Sequence, residues 1–97
     1  MKEVTLERIA PLLNYLRAQP TLREVKRAAF HLKGRDFIHF HEEPEGIFAD
    51  VLLSKGRVRM PVTTQAEQSE LMDRIEVKLS SLTAHARKTQ LWKERRR

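Results

Sequence analysis

Apolar and polar positions follow different periods in different stretches of this chain, and each change of period marks an element. Leu6, Ile9, Leu13 and Leu16 recur at three- and four-residue intervals, the spacing of one helix face, which predicts an amphipathic helix over residues 5–18. Pro11 lies inside it, removes one backbone donor and pushes on the turn before. The segment is therefore kinked at Pro11, or it is a looser turn followed by a helix that begins there. Gln19-Pro20 ends it. Residues 21–34 carry two patterns at once. Thr21 and Glu24 have the spacing of a capping box, with Val25, Ala28, Ala29 and Leu32 on one helical face. Yet Ala28, Phe30 and Leu32 also alternate with Ala29, His31 and Lys33. Lys33-Gly34 leads straight into another alternating segment, a hairpin signal, so residues 25–33 are read as a strand.

The alternation is clearer from there on. Residues 36–42 and 47–53 flank Glu43-Pro44-Glu45-Gly46, a loop of turn-forming residues. Closing the hairpin on that loop sets Glu42 opposite Ile47, Phe40 opposite Ala49, His39 opposite Asp50 and Ile38 opposite Val51. A second hairpin at Lys55-Gly56 is expected to set Leu53 opposite Val58, Val51 opposite Met60 and Ala49 opposite Val62. This register gathers Ile38, Phe40, Ile47, Ala49, Val51, Leu53, Val58, Met60 and Val62 on one face, and a slip of one residue would scatter them. Thr64 and Glu67 form a capping box that starts a long helix, whose apolar stripe runs through Leu71, Ile75, Leu79, Leu82 and Ala86. The expected fold is α+β: a four-stranded antiparallel meander, with an N-terminal helix and a long C-terminal helix covering one face. Residues 1–92 form the domain, and residues 93–97 a frayed basic tail.

Length and composition narrow the class. A chain of 97 residues makes one domain with one core. It has no cysteine, hence no disulfide framework and no thiolate metal site, which fits a cytoplasmic setting. No apolar run is long enough to span a membrane, and Lys2 is followed by no apolar signal core. The formal charge of +6 is unevenly placed. Arg87, Lys88, Lys93, Arg95, Arg96 and Arg97 stand against Glu94 alone, so nearly all of the excess lies in the last eleven residues and the folded body is close to neutral. That differs from the broad basic surface of a dedicated nucleic-acid fold.

The sheet face opposite the apolar one is where function is expected. It holds Phe37, His39 and His41 on one strand and Phe48, Asp50 and Leu52 on the next, with Arg57 and Arg59 on the last strand and Arg27, Ala29 and His31 on the first. Histidines two apart on a strand point the same way, about 6.5–7 Å apart. With Asp50 opposite His39, three N/O donors converge as zinc, iron or manganese would require. The plainer reading of the same residues is a cross-strand hydrogen bond between His39 and Asp50. The pair also resembles a general base with its orienting partner, but Ser54 is too far along the strand to serve as nucleophile. Neither a Gly-rich phosphate loop nor a nucleophile motif is present, so the residues argue against an enzyme and imply no cofactor.

Phe37, Phe48, Leu52, Arg57 and Arg59 together have the composition of a protein interface, and a sheet covered on one side only commonly hides its other face against a second copy. The preferred reading is a non-enzymatic, self-associating interaction module. One alternative is metal or small-ligand binding by His39, His41 and Asp50. Another is nucleic-acid binding, with Phe37 and Phe48 stacking bases and Arg57, Arg59 and the tail residues Arg87, Lys88, Lys93, Arg95, Arg96 and Arg97 contacting phosphates; the acidic loop Glu42-Glu43-Pro44-Glu45 works against it.

The run Phe30-His31-Leu32-Lys33-Gly34-Arg35-Asp36-Phe37-Ile38-His39-Phe40-His41, followed by Ala49-Asp50, resembles the small luciferase-domain family of largely uncharacterised bacterial and fungal proteins. The shared pattern is an aromatic strand, a Gly-Arg-acidic turn, an apolar-x-His-x-His strand and an Asp on the next strand. The likeness covers about a quarter of the chain and implies no reaction. The general layout is also similar to small α+β domains of the YjbR type.

Overall fold

The computed structural model describes residues 1–53 and 56–95, with side chains described through residue 82. The chain runs α1 (Glu3–Arg8), α2 (Ala10–Arg17), β1 (Leu22–Lys26), β2 (Ala29–Leu32), β3 (Arg35–Glu43), β4 (Gly46–Leu53), β5 (Gly56–Pro61) and α3 (Gln65–Arg95). The architecture is the expected α+β, with five strands in the order β1-β2-β3-β4-β5, each antiparallel to the next.

Pro11 divides the N-terminal segment. Ile9 leaves helical geometry at φ −101° and ψ 12°, and Pro11 falls in the first turn of α2, where its missing N–H has no intrahelical partner to lose. Ile9 itself is fully buried, so the break folds the chain around a core residue.

The fifth strand comes from a turn inside the segment expected to be one strand. Lys26 pairs with Ala29, which leaves Arg27-Ala28 as the connection, with Ala28 at φ 64°. An alanine with positive φ is strained, and two contacts hold it there. Its N–H donates to Glu24 Oε2 at 2.9 Å, and Glu24 is gripped by Arg17 at 2.8 and 3.0 Å. Glu24 thus braces a turn instead of capping a helix from Thr21.

The β3–β4 register is the one expected, from Ile38 opposite Val51 through Glu42 opposite Ile47. At β4–β5 the expected register is corrected by two residues. Leu53 pairs with Gly56, Val51 with Val58 and Ala49 with Met60, because the hairpin closes on a shorter connection. An even shift keeps every side chain on its face, so the sorting into inner and outer residues survives. Val58 nonetheless lies at the uncovered sheet edge, 41% exposed.

The helices cover the inner face. Ile9, Leu12, Leu13 and Leu16 from the N-terminal helices and Leu71, Ile75 and Leu79 from α3 pack on Phe30, Ile38, Phe40, Ala49 and Val51. The Thr64–Glu67 capping box is formed reciprocally, at 3.0 and 3.1 Å. Gln68, almost fully buried, donates from Nε2 to the carbonyls of Arg8 and Val62, both at 3.0 Å, and so ties α3 to the end of α1 and the exit of the sheet. α3 continues through Arg95. No described helix is long and apolar enough to cross a membrane.

Candidate metal centre on the open sheet face

Strand pairing delivers the site. His39 and His41 sit two apart on β3 and face the same way, and the β3–β4 register puts Asp50 opposite His39 and Phe48 opposite His41. The two imidazoles meet edge to face with centroids 4.9 Å apart. Both turn toward the same carboxylate oxygen: His41 Nε2 lies 2.6 Å from Asp50 Oδ2 and His39 Nε2 3.3 Å from it. A nitrogen from each histidine and an oxygen of Asp50 all fall within 4.8 Å of one another. Asp50 is the most shielded of the three, with its side chain 22% exposed against 32% and 41% for the histidines.

A further carboxylate, not among the expected site residues, stands one layer out. Asp36 Oδ2 lies 3.1 Å from His39 Nδ1, so the imidazole has a carboxylate at each nitrogen. Asp36 is in turn held by Arg57, whose Nη2 is 2.9 Å from its carbonyl oxygen and 3.3 Å from its carboxylate. Simple alternation puts Asp36 on the core face with Ile38 and Phe40. A β-bulge reverses that: on β2, Phe30 pairs with Ile38 and His31 with Asp36, leaving Phe37 as the extra residue. The bulge adds one residue to the strand, so two consecutive side chains, Phe37 and Ile38, turn inward and Asp36 swings outward.

Phe37 is therefore corrected from the open face to the core, where it is fully buried. It offers neither an interface contact nor a platform for a base. Of the other residues expected on the outer face, Arg27 leaves it for the β1–β2 turn, whereas Phe48, Asp50, Leu52, Arg57 and Arg59 keep their strand positions. Phe48 and Leu52 are half-buried there. Arg59, paired across the strands with Asp50, stands over the Phe48 ring at 5.2 Å in a cation–π arrangement. Its Nη2 meets Glu43 Oε1 and its Nε lies 3.7 Å from Asp50 Oδ1. Arg27 lies in the β1–β2 turn and pairs with Glu3. The side chains of Arg87, Lys88, Lys93 and Arg95, and the whole of Arg96 and Arg97, lie outside the described residues. A groove of about 610 Å³ along α3, lined by Leu53, Asp73, Val77 and Leu82 among others, holds none of the site residues.

Compared with known proteins, the chain matches no family model, no curated protein and no solved structure.

Proposed function

We propose that the open sheet face binds one divalent first-row transition metal ion, zinc or ferrous iron, through His39 Nε2, His41 Nε2 and Asp50. One observation carries this reading. His39 has a carboxylate oxygen near each ring nitrogen, Asp36 Oδ2 at 3.1 Å from Nδ1 and Asp50 Oδ2 at 3.3 Å from Nε2, and a neutral ring, with a single N–H, leaves one of those nitrogens facing a carboxylate as a second acceptor. Two acceptors facing each other repel unless a cation lies between them. Metal–ligand distances of about 2.0–2.2 Å in a tetrahedral site separate neighbouring donors by about 3.3 Å, the spacing His39 and Asp50 already have. His41 needs to withdraw from Asp50 by less than an ångström. A metal-bound histidine usually donates its other N–H to a carboxylate, and Asp36 stands where that partner belongs. Two histidines and one carboxylate leave coordination positions open to solvent.

The test is calorimetric titration of chelator-treated protein with Zn²⁺. One site is expected, with affinity lowered at least about 100-fold by His39→Ala or Asp50→Ala and about 10- to 100-fold by Asp36→Asn, the usual range for an outer partner. Equal affinities in wild type and all three variants would remove the site.

Self-association through the same face is the second reading. Phe48 and Leu52 remain there beside Arg57 and Arg59, a mixed apolar and arginine strip suited to an interface. It has lost Phe37, and both sheet edges carry charges, Arg23, Glu24 and Lys26 on β1 and Arg57 and Arg59 on β5, which oppose edge-to-edge pairing. Light scattering after size exclusion tests it: a dimer that Phe48→Glu converts to monomer supports this reading, and a wild-type monomer at high concentration ends it.

A further inference from the structure

We infer that the metal-loaded site captures a small oxyanion, a carboxylate or phosphate group, with one oxygen on the metal and another on the Arg59 guanidinium; this rests on the metal reading above. Asp50 is shared between the two halves of the site. Its Oδ2 faces the histidines, while its Oδ1 lies 3.7 Å from Arg59 Nε. A cation bound at Oδ2 and the guanidinium at Oδ1 are therefore one carboxylate apart, a spacing that a second, incoming oxyanion bridges in the same way.

Charge points the same way. Asp36, Glu43 and Asp50 face Arg57 and Arg59, so the cluster carries one negative charge in excess when its histidines are neutral. A divalent cation reverses this to one positive charge, and an anionic ligand then restores balance. Exposure permits it, since His39, His41 and Arg59 each keep a third to a half of their side-chain surface open. Arg59 is also oriented in advance. Phe48 supports its guanidinium plane from below and Glu43 holds Nη2, while among the described residues no hydrogen bond engages Nη1. A planar fork held in this way is suited to carboxylate and phosphate oxygens. Glu43 is the one group that competes for it.

The experiment uses Co²⁺ in place of zinc, so that the visible d–d absorption reports the metal's ligands. Inorganic phosphate and acetate are titrated separately into Co²⁺-loaded protein, with the metal-free protein as control. Either anion, or both, is expected to shift the spectrum saturably and to bind at least about tenfold more tightly to the loaded than to the metal-free protein; which of them does so names the oxyanion. Arg59→Met is expected to retain the Co²⁺ spectrum while losing about tenfold or more in anion affinity, and Glu43→Gln to gain affinity by freeing Nη2. A spectrum that neither anion changes, or an anion affinity equal in wild type and Arg59→Met, overturns the inference while leaving the metal site standing. Failure of Co²⁺ to bind, or binding that survives His39→Ala, His41→Ala and Asp50→Ala, defeats both.

Discussion

A neutral imidazole has one N–H and one lone pair, and His39 has a carboxylate beside each nitrogen. That local imbalance is what a bound cation would correct, and a single inserted residue creates it. Without the bulge at Phe37, Asp36 would point into the core. The same bulge makes Phe37 a core residue, so Phe37→Glu is expected to unfold the domain by burying an unpaired carboxylate at a cost of several kcal/mol. Phe48→Glu, on the outer face, is expected to leave a cooperative melt; far-UV circular dichroism distinguishes the two. Tyr15 offers a second check at this scale. Its hydroxyl donates to Glu76 Oε2 at 2.5 Å, and burial first, then that hydrogen bond and the negative charges of Glu76 and Asp73, push the phenol well above the ordinary tyrosine value. The fold favours the neutral phenol, so this contribution to stability is fully present below pH about 10 and is lost as pH rises through the raised value. The chain has one tyrosine, so absorbance at the phenolate band reads it alone. Glu76→Gln is expected to bring the ionisation down toward the ordinary value, and an unchanged midpoint would refute the coupling between α2 and α3.

Among the elements, what the sequence reveals depends on whether the determinants are local. The β3–β4 hairpin is legible because turn residues at 43–46 and strict alternation on both sides agree, and with it came the meeting of His39, His41 and Asp50. The long helix is legible from Thr64 and Glu67. The β1–β2 turn is not, because Arg27-Ala28 contains no turn-forming residue and is braced by Glu24, itself held by Arg17 on another element. The bulge at Phe37, and with it Asp36 as outer partner, follows from how β3 pairs with β2, which no window of the sequence encodes. The β2–β3 turn shows the contrary case. Lys33 and Gly34 have φ of 53° and 78°, the geometry of a tight hairpin turn with positive φ at both positions. Asn tolerates that conformation far better than Lys, so Lys33→Asn is expected to stabilise the protein by about 0.5–1 kcal/mol, read as an upward shift in the urea midpoint. Gly46→Ala has the opposite sign, because a Cβ at that position would overlap Thr63 Oγ1, the atom that accepts the Ile47 N–H at 2.9 Å.

Across the whole molecule, fold and charge are separable. Among the residues whose side chains are described, the buried cluster draws its last helical residue from Leu79, whereas the excess cations begin at Arg87. Deleting residues 87–97 is therefore expected to shift the melting temperature by no more than about 5 °C. It is also expected to abolish retention on a polyanionic resin, since salt-sensitive binding follows the number of available cations. Retention that persists after deletion would return the nucleic-acid reading to Arg57 and Arg59. Metal binding is expected to be untouched, because its ligands lie on β3 and β4 at the opposite face of the sheet from α3. The most direct measurement of the central claim is a long-range proton–nitrogen NMR correlation of the four histidines with and without one equivalent of Zn²⁺. Nε2 of His39 and His41 are expected to shift together at stoichiometric metal, with the His39 proton on Nδ1 and with His31 and His85 unmoved. Unmoved resonances for His39 and His41, or shifts led by His31 or His85, would contradict that claim.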